Sequence, residues 1–342
     1  MLDARARVER LLEGARGLVH DAVLAEEIAR STGLSPGGVS LAMRRYLERD
    51  PSPGEIAKLV HGATPSSQVH VILSANVFTA PLRALAVACA ASIRVSVKPS
   101  RRDPAFTRAL VRRVPDLEIT VRDAVDAATL SDGEVHVYGR DETVLAVRSA
   151  APRGVLVRAH GAGLGVAIVT GGAALEEAAR RVADDVVVFD QRGCLSPRVV
   201  LVVGDASRGA AFADALALEL AAWEPVAARG VLDRDEARDA ARYVETMRFA
   251  GSVARGDTYA VGLAPEGMPL VVPPPGRHVH VATVGELCEV LGVLTPIERL
   301  VVAVGTDDEA ALRAVLRPDA RVRWSPLGQM QKPPFDGPVD LR

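Results

Sequence analysis

Cys194 is the residue of this sequence whose setting best suits chemistry. It stands in the segment FDQRGCLSPR, directly after Gly193 and downstream of the polar residues Asp190, Gln191 and Arg192. A thiolate is a strong nucleophile, and a cationic neighbour such as Arg192 lowers the pKa of a thiol. Because the neighbours are polar, the alternative of a cysteine buried in the core suits this position poorly.

The other two cysteines fit the core better. Cys89 lies in the helical pattern ALAVACAA, and Cys288 lies on the apolar side of ELCEVL. Three cysteines cannot form a fully paired disulfide framework. No spacing of cysteines and histidines suggests a zinc site, so no metal is expected.

A second candidate segment is HGAGLG, residues 160–165, which resembles a fragment of a dinucleotide-binding fingerprint. Such a fingerprint opens a helix, whereas the strand pattern LGVAIVTG follows here. The glycines therefore indicate a tight turn with close backbone approach. His160 is either an ordinary turn residue or a proton carrier.

Polar side chains also follow two predicted strands near the start of the α/β pattern. Asn76 follows VHVILSA, where its amide either donates to an oxyanion or caps the next helix. Lys98 and Ser100 end the next strand and suit a ribose or phosphate, unless they belong to a solvated loop. Because parallel strands end at one edge of a sheet, these residues are expected on the same edge.

The bulk composition narrows the class of protein. The chain has 342 residues, a formal net charge of -2 and 49% hydrophobic residues. Nucleic-acid binders usually carry a basic excess, so nucleic acid is an unlikely partner, although residues 20–50 also suit a helix-turn-helix. The charged start lacks a signal-peptide core and no apolar run suits a membrane span, which predicts a cytoplasmic protein.

The order of predicted elements indicates an α/β fold with largely parallel sheets. Residues 1–60 form amphipathic helices, and strands then alternate with helices from residue 69 onward. The strands include DVVVF directly before Cys194 and two closely spaced strands around HGAGLG. The amount of sheet predicts two α/β domains that meet near residue 185. The Pro- and Gly-rich tail, residues 321–342, is expected on the surface.

Taken in order, three segments resemble the aldehyde dehydrogenase superfamily. They are ILSANVFTAPLRALAVACAASIRVSVKPS, FDQRGCLSPRVVLV and the C-terminal GQMQKPPFDG. Within the superfamily, DQRGCLSPR is most similar to the fatty acyl-CoA reductases that supply aldehyde to bacterial luciferase. The resemblance covers about residues 65–335, and Gln191 holds the familiar place upstream of the cysteine.

The resemblance implies an organisation into functional parts. It implies a helical segment 1–60 packed on a Rossmann-like cofactor domain 61–184, and a catalytic domain 185–320 that carries Cys194. The catalytic residues it implies are the nucleophile Cys194 and the oxyanion donor Asn76, and His160 is a further candidate as a proton carrier. The cofactor-binding residues it implies are Ser74, Lys98, Ser100, Tyr138, Gly139, Gly161 and Gly163. The superfamily usually forms dimers or tetramers, so a homo-oligomer is expected.

One departure from the superfamily pattern sharpens the expected reaction. Hydrolytic aldehyde dehydrogenases carry a Glu before paired glycines, and this chain has Arg158, Ala159, His160 and Gly161 there. Without that base, release of an acid from an acyl-enzyme is disfavoured, which points to reduction of acyl-CoA. The resemblance implies NADPH as the cofactor, with NADH as the alternative. The alternatives are reduction of another activated acyl group and a non-catalytic relative that binds a nucleotide or a partner protein.

Overall fold

The computed structural model describes residues 2–74, 77–316 and 321–341. The chain forms two compact units. The first unit comprises Met1–Thr32, Ala42–Ala162 and Pro334–Val339, and the second comprises Gly33–Leu41, Gly163–Pro333 and Asp340–Arg342. Each unit is built around its own sheet.

The first unit contains a five-stranded parallel sheet with the order β3-β2-β1-β4-β5. Its strands are β1 (Val69–Ile72), β2 (Val95–Lys98), β3 (Ile119–Val121), β4 (Glu134–Tyr138) and β5 (Leu156–His160). The chain runs outward from β1 to β3 and then returns to the other side of β1. The sheet therefore has a topological switch point between β1 and β4, where open α/β sheets bind ligands at the carboxyl ends of the strands.

Helices dominate the start of the chain and alternate with these strands. They are α1 (Ala4–Arg16), α2 (Ala22–Thr32), α3 (Pro36–Arg45), α4 (Pro53–Gly62), α5 (Ala80–Ala91), α6 (Ala105–Arg113) and α7 (Asp141–Ala150). Asp3 caps α1 by accepting a hydrogen bond from the Ala6 N–H at 2.8 Å. The buried residues Val8, Leu11 and Leu12 form the apolar stripe of α1. Helix α5 is apolar on nearly all sides and is correspondingly buried.

The second unit contains a seven-stranded sheet with the order β12-β11-β6-β7-β10-β9-β8. Its strands are β6 (Leu164–Val169), β7 (Pro197–Val203), β8 (Ser252–Arg255), β9 (Ala260–Leu263), β10 (His278–Val284), β11 (Val301–Thr306) and β12 (Arg323–Pro326). Its helices are α8 (Leu175–Val187), α9 (Ala206–Ala222), α10 (Arg234–Ala250), α11 (Val290–Leu294) and α12 (Glu309–Val315). Pairing is parallel except between β8 and β9. The expected α/β class with largely parallel sheets is confirmed.

The division between the units differs from the boundary expected near residue 185. It falls between Ala162 and Gly163, so β6 and α8 belong to the second unit. None of the five residues of β5 is fully buried, as befits an edge strand, whereas all six residues of β6 are buried between β7 and β11. Two strands close in sequence therefore end one sheet and begin the centre of the other.

The segment DVVVF, residues 185–189, is not the predicted strand. Helix α8 continues to Val187, and a short 3-10 turn follows at Val188–Gln191. The β-branched residues favour a strand locally. However, Ala179, Val182, Ala183 and Val186 recur at helical spacing and are buried together, so burial of one helix face decides the conformation.

The tail 321–342 also differs from the surface segment expected. It contains β12, and in the second unit Leu327 and Met330 are buried. In the first unit, Phe335 is buried and its backbone N–H donates to Glu55 at 2.8 Å. Its Pro and Gly residues shape tight turns around buried side chains rather than an exposed coil.

Two further features follow from the described part of the chain. No helix there has both the length and the apolar character needed to cross a membrane. In the same residues, no group of three or more His, Cys, Asp and Glu side chains is arranged to hold a metal ion.

A buried carboxylate links β4 and β5 in the first unit. Glu134 is 5% exposed, and its Oε2 accepts a 2.6 Å hydrogen bond from Nε of Arg158. The Nε2 atom of His136 lies 3.0 Å from the same oxygen. Burial raises the pKa of Glu134, but the hydrogen bonds from His136 and Arg158 outweigh it and lower the pKa to about 2. Arg158 thus joins β5 to β4 through Glu134.

We expect Arg158→Ala to weaken the first unit at neutral pH by about 1–2 kcal/mol, since the arginine is partly exposed. Because folding lowers the pKa of Glu134, its ionised form stabilises the folded state above pH 4.5. This stabilisation is lost as the pH falls from 4.5 to about 2. The difference between wild type and variant should therefore shrink in acid. Urea unfolding at about pH 7 and about pH 3.5 measures it. Arg148→Ala, at an exposed position, is the control. If the stability of Arg158→Ala changed with pH as much as that of wild type, Arg158 would not be what lowers the pKa of Glu134.

Candidate active site

Cys194 lies half-buried in the loop between the 3-10 turn Val188–Gln191 and β7. The backbone N–H of Ser196 donates to the carbonyl of Gly193 at 3.1 Å and closes a tight turn around the cysteine. The N–H of Gly165, at the start of β6, donates to the carbonyl of Ser196 at 3.0 Å. The loop that carries Cys194, called the cysteine loop below, is therefore held at the amino ends of β6 and β7.

The backbone directly before Cys194 adopts a conformation that L-residues rarely take. Phe189, Asp190 and Gln191 have φ angles of 54°, 48° and 63°. Each left-handed residue costs on the order of 1 kcal/mol. Three in a row persist only where surrounding contacts hold them, so the contacts of these residues show what the turn serves.

Asp190 anchors this turn through a buried ion pair. Its Oδ1 lies 2.8 Å from Nη2 and 3.0 Å from Nε of Arg277, and the two residues are 2% and 1% exposed. Its Oδ2 accepts from the Gly230 N–H at 2.8 Å, and its carbonyl accepts from the Gly276 N–H at 2.9 Å. Loss of either charge would leave the other buried without its partner, which is strongly destabilising.

Gln191 anchors the turn from the other side. Its Nε2 donates to the carbonyls of Pro197 and His278, both at 2.8 Å, and its Oε1 accepts from the His278 N–H at 2.9 Å. The side chain is buried, and these three hydrogen bonds use most of its amide capacity. Gln191 thus positions the cysteine loop between β7 and β10.

Arg192 and the remaining two cysteines have different surroundings. Arg192 forms a 3.1 Å ion pair with Glu236. Cys89 is buried, and burial raises the pKa of its thiol to about 12. Cys288 is exposed and does not belong to the core, because it lies in a short 3-10 turn, Leu287–Glu289, with no buried face.

The first unit carries most of the other candidates at the carboxyl edge of its sheet. Lys98 is the last residue of β2 and is half-buried, and burial together with the charge of Arg101 lowers its pKa. Ser100 is buried, and its Oγ accepts from the Arg102 N–H at 3.2 Å. Ser74 follows β1 by two residues. The sheet thus brings these three candidates to one edge.

Aromatic rings meet at the same edge, on β4 and β5. Tyr138 and His160 are register partners, and their rings stack at 4.5 Å with an interplanar angle of 15°. The N–H of Gly139 donates to the carbonyl of His160 at 3.1 Å. His160 is therefore part of an ordered aromatic pair rather than of a loose turn.

The remaining candidates fall in three different places. A Cβ on Gly161 would collide with Oδ1 of Asp141, which accepts from the Ala162 N–H at 2.9 Å, so this glycine makes room for a carboxylate. Gly163 belongs to the second unit and directly precedes β6. Asn76 lies outside the described residues.

Sequence reasoning missed the supports of the cysteine loop. Arg277 follows PPPG and has a φ of 65°, which is unusual for an arginine. The one available signal was that proline-rich turn next to a charged residue. Its partner Asp190 was noticed only as a polar neighbour of Cys194, because their pairing spans 87 residues.

Solved structures with the same arrangement are aldehyde dehydrogenases. The NAD-dependent benzaldehyde dehydrogenase of Corynebacterium glutamicum shares 15% identity at a TM-score of 0.73, over 94% of this chain and 81% of that chain. The gamma-glutamyl-gamma-aminobutyraldehyde dehydrogenase of Burkholderia cenocepacia J2315 shares 15% at 0.74, over 94% and 76%. A propionaldehyde dehydrogenase from a Clostridium phytofermentans microcompartment shares 12% at 0.66, over 91% and 79%. The protein thus has an aldehyde-dehydrogenase fold.

The sequence defines the family more narrowly. The model of the acyl-CoA reductase (LuxC) family matches residues 38–341, and the chain belongs to that family. Comparison with curated protein sequences gives no significant match. The resemblance seen in FDQRGCLSPR is confirmed, and the protein is an oxidoreductase of the class that acts on aldehyde or acyl groups.

Gly165→Ala tests whether close packing holds the cysteine loop. An added Cβ would collide with the Leu195 carbonyl oxygen and come within 2.8 Å of Cε of Met330. We expect a loss of about 1–3 kcal/mol in stability and an altered rate of Cys194 alkylation. Thermal unfolding and peptide mass spectrometry measure these effects.

Gly172→Ala is the matched control, because its Cβ would have no heavy atom within 4 Å. If both variants unfold and react like wild type, the packing at Gly165 does not hold the loop.

Proposed function

We propose that this protein reduces a fatty acyl-CoA to the aldehyde with NADPH, through a thioester on Cys194. The observation that carries the proposal is the turn before Cys194. Three left-handed residues and a buried ion pair fix the backbone that precedes a half-buried cysteine. A cysteine that only filled the core would need none of this, whereas a nucleophile must be presented in one geometry.

The chemistry begins at the Sγ atom of Cys194. The thiolate attacks the acyl carbonyl carbon, a new C–S bond forms, and the CoA thiolate leaves with its electron pair and takes a proton. When bound, a reduced nicotinamide supplies the hydride that takes the acyl group to the aldehyde level. The C–S bond then breaks, and its electron pair returns to Sγ as the aldehyde leaves.

The residues near β5 support reduction over hydrolysis. Hydrolysis of an acyl-enzyme needs a base that activates water. In the stretch where hydrolytic aldehyde dehydrogenases carry that base, this chain has Arg158, Ala159, His160 and Gly161. Arg158 cannot accept a proton at neutral pH and is bound to Glu134. We propose that Asn76 donates to the oxyanion, which rests on the resemblance, and that His160 carries a proton, which rests on the chemistry of an imidazole.

The sheet of the first unit fits a dinucleotide. Its switch point lies beside β1, where Ser74 follows, and Lys98 and Ser100 end the neighbouring strand. We propose that these residues hold the adenosine ribose, with Lys98 on the 2′-phosphate. Tyr138, Gly139, Gly161 and Gly163 would line the pyrophosphate and nicotinamide portions. The protein is also proposed to act as a homo-oligomer, by resemblance to the superfamily.

Replacing the nucleophile tests the reaction. Cys194→Ala should abolish acyl-CoA-dependent oxidation of NADPH, release of CoA, and the acyl adduct seen by intact-mass measurement, because no thioester can form. Cys288→Ala is the control, since Cys288 is an exposed cysteine. Reduction by Cys194→Ala at the wild-type rate would refute the mechanism. CoA release is measured with a thiol reagent.

Two outcomes would favour other functions. Activity with an acyl phosphate and none with acyl-CoA would indicate a different activated acyl substrate. A wild-type protein that forms no adduct with either, but binds nucleotide, would be a non-catalytic relative.

Lys98→Ala tests the cofactor preference. Loss of a charge-assisted contact of about 1.5–3 kcal/mol should raise the Kd for NADPH by roughly 10- to 100-fold, with a smaller effect on NADH. Fluorescence titration of the reduced cofactors measures both constants without turnover. Lys58→Ala, at an exposed position of α4, is the control. Equal losses for the two cofactors would place Lys98 away from the 2′-phosphate.

A further inference from the structure

The segment Leu327–Gln331, after β12, is fastened inside the second unit by a buried carboxylate. Asp185 in α8 is 0% exposed. Its Oδ2 accepts from the Gly328 N–H at 2.7 Å, and its Oδ1 accepts from the Met330 N–H at 2.9 Å. Burial raises the pKa of Asp185 to about 8, although the backbone hydrogen bonds oppose this. A carboxyl group is thus buried at a cost to hold this segment in one place.

The fastened segment reaches the cysteine loop through one side chain. Nε2 of Gln331 donates to Oγ of Ser196 at 3.0 Å, and the two residues are 7% and 0% exposed. Ser196 is the residue whose N–H closes the turn around Cys194 on the Gly193 carbonyl. A hydrogen bond between buried neutral groups is costly to leave half-made, so Gln331 restrains Ser196.

The cysteine is therefore held from two sides. Upstream, Asp190 and Gln191 fix the left-handed turn. Downstream, Ser196 is fixed by Gln331 and by the Gly165 N–H. Asp190 and Gln191 precede Cys194 by only a few residues in the chain. Gln331, in contrast, lies 135 residues from Ser196.

We propose that Gln331 is a positioning residue for Cys194: by holding the Ser196 hydroxyl, it keeps the Gly193–Ser196 turn in the shape that presents the thiol to the acyl group. The proposal rests on the proposed function, in which Cys194 is the nucleophile. Gln331 acts through Ser196 and does not touch the reacting atoms.

Thiol reactivity tests this role without cofactor or turnover. The rate of Cys194 alkylation by iodoacetamide is followed against pH by peptide mass spectrometry in wild type, Gln331→Ala, Ser196→Ala and the double variant. We expect each single variant to shift the pH profile and to slow acyl transfer by about tenfold, because small misplacements of a nucleophile are costly. The double variant should be no worse than either single one, since both break the same contact.

Gln329→Ala is the matched control, since Gln329 is an exposed glutamine of the same segment. It should alkylate and react as wild type does. Thermal unfolding of every variant separates loss of position from loss of fold. If Gln331→Ala fails to fold, Ser196→Ala carries the same comparison.

Three results decide between the explanations. A wild-type alkylation profile and acyl-transfer rate in Gln331→Ala and Ser196→Ala overturn the proposal. Equal changes in Gln329→Ala also overturn it, because they would show general loosening of the segment. If wild type forms no acyl adduct at Cys194, the proposed function fails, while the alkylation profiles still show whether Gln331 positions the thiol.

Discussion

The loop that carries Cys194 depends on the buried ion pair between Asp190 and Arg277. Three consecutive left-handed residues have no intrinsic reason to persist, and the pair supplies one. Its two charges are removed from water, and hydrogen bonds to backbone groups offset part of that cost. The carboxylate of Asp190 also accepts a hydrogen bond from the Gly230 N–H, and the guanidinium of Arg277 donates one to the carbonyl of Ala227. The ion pair and its hydrogen bonds thus offset the conformational strain of the left-handed turn.

The first unit achieves order by a different constraint. Parallel strands place their carboxyl ends at the same edge of a sheet, whatever their side chains are. Lys98, Tyr138 and His160 therefore share an edge because of the strand order β3-β2-β1-β4-β5. Topology positions the candidate cofactor residues, whereas specific buried contacts position the candidate nucleophile.

Sequence patterns predicted the fold where burial and periodicity agree, as in β7, β10 and α5. They failed at residues 185–189, where β-branched residues continue a helix because its buried face outweighs local preference. The boundary between the units was missed because β5 and β6 are separated by three residues yet belong to different sheets. For the candidate site, the polar neighbours of Cys194 and the family resemblance predict a nucleophile at that position, which stays a prediction. Arg277 and Gln331 were not predictable, since their partners lie 87 and 135 residues away in the chain.

The hydrogen bond from Gln331 to Ser196 can form only late in the synthesis of this part of the chain. During synthesis, the strand that follows Cys194 emerges long before the segment that supports it, 135 residues later. At about 5–20 residues per second, this delay is roughly 7 to 27 seconds. Over that interval the loop lacks the contact from Gln331, and Arg277, the partner of Asp190, is itself added 87 residues after Asp190. The thiol reaches its final setting only after Gln331 has joined the chain.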